Sequence, residues 1–87
     1  MARKLFNVED SFTVHHRGTM LLPGLIPEGD ERFRIGDTLR LRRPDGTELR
    51  VAVDGFDFFH PGPNGEYAVL IALPKAEVPR GTEVWSL

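Results

Sequence analysis

The residues able to do chemistry are few, and they fall into four groups. Glu9 and Asp10 are adjacent acids beside Phe12. His15 and His16 form an imidazole pair, with His60 far downstream. Arg40, Arg42, Arg43 and Arg50 are the one dense basic cluster, which Arg17, Arg32 and Arg34 extend. Phe56-Asp57-Phe58-Phe59 places three aromatic rings in four positions.

Paired carboxylates do acid–base work when both can reach the same reacting centre. Neighbours on a strand point to opposite faces. Glu9 and Asp10 therefore read as solvated polar positions, or as a lip beside Phe12 that accepts hydrogen bonds from a ribose or a partner backbone. A zinc site takes three or four converging ligands. The chain has three His and no Cys, and His15 and His16 diverge if they lie on a strand, so no metal is expected. Ser11 and Ser86 sit in no nucleophile elbow, and no G-x-x-x-x-G-K-[ST] phosphate loop occurs. Neither a catalytic set nor a cofactor site is expected. The arginines have two readings. One is a solvated face balanced by Asp37, Asp45 and Glu48. The other is a patch for RNA phosphate or for an acidic protein surface. Phe56 and Phe58 share a face and Phe59 takes the other. Phe59 is then either a partner anchor or a ring buried under the following loop.

The elements that position these groups are short. The chain has 87 residues, 40% hydrophobic and 28% charged, with nine Gly and seven Pro. This suits a single domain with a modest core. No apolar run approaches the roughly 18 residues of a membrane span. No apolar signal core follows the basic Met1-Ala2-Arg3-Lys4, and with no Cys the expected compartment is the cytoplasm. Net charge is −2, but residues 1–50 hold nine Lys/Arg against eight Asp/Glu and residues 51–87 two against five. A local basic patch is compatible with that balance. A strongly basic nucleic-acid binder is not.

Period-two alternation dominates. It predicts a strand over Ser11 to His15 with Phe12 read as core, a turn at His16-Arg17-Gly18, and a second strand over Thr19 to Ile26. Pro23-Gly24 interrupts that strand at an edge or a bulge. Gly36-Asp37 leads into Thr38 to Arg43, with Leu39 and Leu41 inward and Arg40 and Arg42 outward. Pro44-Asp45-Gly46 is a type I turn with a bulge. It pairs Leu41 with Leu49, Arg42 with Glu48 and Arg40 with Arg50. The apolar phase then slips at Asp54-Gly55, as a bulge would make it do. Tyr67 to Leu73 is a buried strand, and Thr82 to Leu87 closes the chain. The expectation is an all-β fold, a small closed antiparallel barrel of about six strands.

Four segments carry a resemblance that spans nearly the whole chain. They are Val8-Glu9-Asp10-Ser11-Phe12, Arg17-Gly18-Thr19, Ile35-Gly36-Asp37-Thr38-Leu39 and Val78-Pro79-Arg80-Gly81-Thr82-Glu83-Val84. In order and spacing they resemble the second, β-barrel domain of elongation factor Tu and related translational GTPases. The resemblance implies that barrel as a stand-alone domain. In elongation factor Tu the domain abuts the GTPase domain and helps hold the aminoacylated 3′ end of tRNA. Glu9, Asp10 and Phe12 match positions of that pocket, and Arg17 matches the turn arginine. Beyond Thr19 the chain departs from the family's V-x-T-G-R-V run, since Met20-Leu21-Leu22-Pro23-Gly24-Leu25 stands there.

The expected function is a non-enzymatic binding module that docks on a protein or an RNA-containing partner such as tRNA, the ribosome or a GTPase domain. Glu9, Asp10, Phe12, Arg17, Arg40, Arg42 and Arg50 are its candidate contacts. Two alternatives stay open: a mimic, regulator or immunity-type protein that binds one protein, and a barrel that binds a small ligand at its mouth.

Overall fold

The computed structural model describes residues 2–87. It contains seven strands: β1 (Lys4–Asn7), β2 (Asp10–Val14), β3 (Gly18–Leu25), β4 (Thr38–Arg42), β5 (Glu48–Asp57), β6 (Tyr67–Ile71) and β7 (Glu83–Trp85). A single 3-10 turn, Lys75–Glu77, is the only helical element among the described residues. All ladders are antiparallel, in the order β1-β7-β4-β5-β6-β3-β2. The sheet curls into an open half-barrel.

The all-β expectation holds, but a closed barrel of six strands does not. The extra strand is β1, which pairs with β7 at the far end of the sequence. The two outer strands of the sheet, β1 and β2, are consecutive in the chain. Between them Val8 donates to Thr82 O at 2.8 Å, and Glu9 donates to Leu22 O at 2.9 Å. One extended segment thus changes partner, from β7 to β3, within two residues. Covalent chain joins the two edges of the sheet where a closed barrel would have a ladder.

The hairpin register follows its turn. Arg42 faces Glu48, Leu41 faces Leu49 and Arg40 faces Arg50, as the Pro44-Asp45-Gly46 loop dictates. Asp45 Oδ1 accepts from Thr47 N at 3.0 Å and from Thr47 Oγ1 at 2.7 Å, and Gly46 takes φ 90°. The expected bulge lies between Val53 and Gly55. It lets the first half of β5 pair with β4 and the second half with β6, so one strand serves both halves of the curled sheet. Pro23-Gly24 is also a bulge, inside β3 and not at an edge, because β3 is paired on both sides.

The core is one cluster built from the inward positions of six strands and two connections. Leu21, Leu41, Val69, Ile71 and Val84 are fully buried, joined by Phe6, Val8, Leu25, Leu39, Val53 and Val78. A buried leucine of this kind contributes about 2–3 kcal/mol by its apolar area. Two inward hydroxyls are satisfied: Thr19 Oγ1 donates to Leu73 O and Thr82 Oγ1 to Pro79 O, both at 2.7 Å.

β2 runs in the opposite phase to the expectation. Ser11 is buried at 8% exposure, whereas Phe12 is 46% exposed. The ladder decides this. Ser11 faces Leu21, which is at the centre of the core, and Phe12 faces Met20 on the outside. Register to a strand buried on its inner face outweighs the local preference of one ring.

Candidate anion-binding face

The outer face of β1, β7, β4 and β5 carries most of the charge that the hairpin displays. Directly opposed residues of an antiparallel ladder share a face. Lys4 faces Trp85, Trp85 faces Arg40, and Arg40 faces Arg50. With strands about 4.8 Å apart, these four side chains form a row about 14 Å long. A second row runs beside it, in which Asn7 faces Glu83, Glu83 faces Arg42, and Arg42 faces Glu48. The first row has three cations and no carboxylate. The second has one arginine against two glutamates.

Specific contacts order four of these side chains, Arg40, Trp85, Glu48 and Glu83. The Arg40 guanidinium carbon lies 5.2 Å from the centre of the Trp85 ring, within cation–π range. The indole Nε1 donates to Glu83 Oε1 at 3.0 Å, which fixes the ring. Glu48 opposes Arg42 in the register, but its carboxylate reaches diagonally to Arg40, with Oε1 3.2 Å from Nε. Arg40 Nε is enclosed and makes no hydrogen bond there, so the contact is an ion pair without the alignment of a strong one. Lys4, Arg42 and Arg50 have no carboxylate within salt-bridge distance among the described residues. The fourth arginine of the cluster, Arg43, is used internally, since it pairs with Glu77 and donates from Nε to Glu77 O at 2.7 Å.

The other candidate contacts are dispersed. Glu9 and Asp10 border a groove of about 310 Å³ with Val8, Ser11, Lys75, Val78, Pro79 and Arg80. Arg80 Nε donates to Glu9 O at 2.8 Å across it, and Asp10 Oδ1 accepts from Ser11 N at 2.8 Å. Phe12 lies outside that groove, against Met20. Arg17 reaches the bulge of β5, where Nη2 is 3.4 Å from Asp54 Oδ2. Arg40, Arg42 and Arg50 are brought together. Glu9 and Asp10 share a groove that Phe12 and Arg17 do not line.

The histidines occupy turns. His15 and His16 do not diverge: their ring centres are 3.8 Å apart, and His16 takes φ 61° at the tip of the β2–β3 turn. His60 Nδ1 lies 3.1 Å from Asp57 Oδ2, but Asp57 Oδ1 accepts from Phe59 N at 2.9 Å and His60 N at 3.2 Å. Those backbone donors, Phe59 N–H first, hold the Asp57 carboxyl below its usual range. Asp57 thus caps the turn that carries Phe59 and His60. Among the described residues no group of three His, Cys, Asp or Glu side chains is placed to hold a metal, and no helix is long and apolar enough to cross a membrane.

A second feature is aromatic. Phe56, Phe58 and Tyr67 stack in sequence, with ring centres 5.5 and 5.1 Å apart. With Leu25, Pro27 and Phe33 they line a groove of about 190 Å³. Phe59, next to Phe58 in the chain, is 90% exposed.

Sequence reasoning missed Lys4 and Trp85. Neither belongs to the arginine cluster in sequence, and only the β1–β7–β4 register places them in its row. No protein-family model, no curated protein and no solved structure matches this chain.

Proposed function

We propose that the chain is a non-enzymatic binding module that docks an anionic partner through the outer face of β4, β5 and β7. The observation that carries this reading is Arg50. It stands directly opposite Arg40 with no carboxylate of its own, an arrangement that costs stability and that an external anion relieves. Glu9, Asp10, Phe12 and Arg17 are secondary contacts in this reading. The resemblance to the second domain of elongation factor Tu supports a docking unit of translation-factor type. On that reading the partner is a protein or ribonucleoprotein of the cytoplasm, such as tRNA, the ribosome or a GTPase domain.

The test is retention on an immobilised polyanion across a salt series, for the native chain and for an Arg40→Glu/Arg50→Glu variant. Salt-sensitive retention that the double variant loses supports the reading. Failure to bind at low salt ends it.

The exposed Phe59, which follows Phe58 in the chain, favours a second reading, that of a mimic or regulator of one protein partner, since aromatics buried on binding dominate such interfaces. Recovery of a single protein without RNA, abolished by Phe59→Ala, would move the function to that end of the sheet.

A further inference from the structure

We infer that the anion is a single-stranded nucleic acid, threaded along the row Lys4–Trp85–Arg40–Arg50 with a base against the Trp85 ring. This rests on the anion-docking reading and adds the ligand class and the residues that select it.

Three observations narrow the ligand. The positive feature is one residue wide. The row beside it carries Glu48 and Glu83, and on its other side Thr38 faces Ala52, a neutral pair. A broad acidic protein surface would meet those glutamates as well as the cations. A duplex presents two phosphate strands and would do the same. A single strand needs only a line. Second, the line contains an aromatic ring between cations, the combination that binds single strands by backbone attraction and base stacking together. Third, the ring is held in advance. Glu83 fixes its edge through Nε1, Arg40 lies against it, and Lys4 and Arg50 stand at the ends of the row. The ring and Arg40 thus need little ordering by the ligand, which has only Lys4 and Arg50 to fix.

The charge count gives a measurable slope. Lys4 and Arg50 have no carboxylate partner and Arg40 is shared with Glu48, so two to three phosphate contacts on a single strand give a log K against log salt slope of about −1.4 to −2.1, at about −0.7 per contact. Losing Lys4 or Arg50 should flatten it by about 0.7. Losing the ring should weaken binding about 5- to 150-fold, the range for one stacked base, and leave the slope unchanged. That separation of slope from affinity distinguishes stacking from charge, and a general loss of fold would not produce it.

The chain has one tryptophan, so its intrinsic fluorescence reports on this row. The experiment titrates the full chain with a short oligouridylate, the matching RNA duplex, inorganic polyphosphate and polyglutamate. Quenching of Trp85 by oligouridylate is expected, with at least about tenfold tighter binding than to the duplex or polyphosphate, as loss of one stacked base allows. Labelled oligouridylate then reads Lys4→Gln, Arg50→Gln and Trp85→Leu by anisotropy, each checked for a native circular-dichroism spectrum. Should Trp85→Leu misfold, the native chain's quenching and ligand ranking decide alone. Equal binding of polyphosphate and oligouridylate, both lost on charge reversal, overturns this inference and leaves anion docking standing. So does saturation without quenching. Preference for polyglutamate assigns the row to an acidic protein. Binding of none of the four ligands removes both readings.

Discussion

Glu48 faces Arg42 across the β4–β5 ladder, yet its carboxylate lies 3.2 Å from Nε of Arg40. It therefore occupies the central cation of the row that an external anion would use. Glu48→Gln should free Arg40 and tighten polyanion binding by up to about fivefold, the equivalent of a surface ion pair. Stability should change by less than about 0.5 kcal/mol. Paired binding titrations and urea unfolding curves check both. Unchanged binding would mean that Glu48 does not compete for Arg40.

Arg3 ties the first strand to the loop before β4. Its Nε donates to Glu31 Oε2 at 2.9 Å and its Nη2 to Oε1 at 2.6 Å. The hydrogen bond from Arg3, then that from Glu28 N, lowers the Glu31 carboxyl from 4.5 to about 2. A depressed carboxylate stabilises the fold above its unfolded pKa and loses that contribution as pH falls through its folded one. Glu31→Gln should thus be less stable than the native chain at neutral pH. The gap should close between pH 4.5 and about 2. Melting temperatures of both proteins across that range measure it. Because Asp45, Asp57 and Glu66 are also lowered, the difference between the two proteins is the informative quantity.

The phase of β2 can be read by truncation. Leu21→Ala, at a fully buried site, should cost about 2–5 kcal/mol. Phe12→Ala should cost about 1 kcal/mol or less, as for an exposed cross-strand pair. A larger loss at Phe12 than at Leu21 in denaturant unfolding would mean that the ring points inward.

Two glycines of β3 exist because backbone passes close by. A Cβ on Gly24 would sit 1.9 Å from Tyr67 O, and one on Gly18 would sit 2.0 Å from Ile71 O, both at positive φ. Alanine at either should cost more than about 4 kcal/mol, beyond the usual range of single substitutions. Gly46 has nothing within 4 Å of its added Cβ, so Gly46→Ala should cost only the left-handed backbone, about 1–2 kcal/mol. Equilibrium unfolding of the three variants ranks them, and equal costs would contradict the close approach in β3.

What was legible in the sequence was local. Pro44-Asp45-Gly46 sets a loop length, and loop length sets the register of Arg40, Arg42 and Arg50. The slip at Asp54-Gly55 marks its own bulge, because alternation fails there and resumes. What was not legible depends on distant partners. Lys4–Asn7 is four residues without a period, and it is a strand only because β7 pairs with it. Ser11 is buried because of what Leu21 does. Trp85 and Lys4 join the arginine row through two ladders that no local pattern announces. The acidic lip is distributed by strand phase and by the turn. Glu9 and Asp10 line a groove, Phe12 stands outward on β2 against Met20, and Arg17 lies beyond that strand, at the turn, near Asp54.

The pairing of Lys4 with Trp85 orders events in time. β1 precedes the other six strands, but among the described residues its one ladder is with β7. Until residue 85 has left the ribosome, β1 has an unpaired edge and Phe6 and Val8 lack part of their cover. The β4–β5 hairpin, closed by a local loop, needs no such wait. Assembly should therefore begin in the middle of the chain, and its outermost strand should dock last. Any delay between the synthesis of β1 and that of β7 would prolong the exposure of β1, when self-association is most favoured.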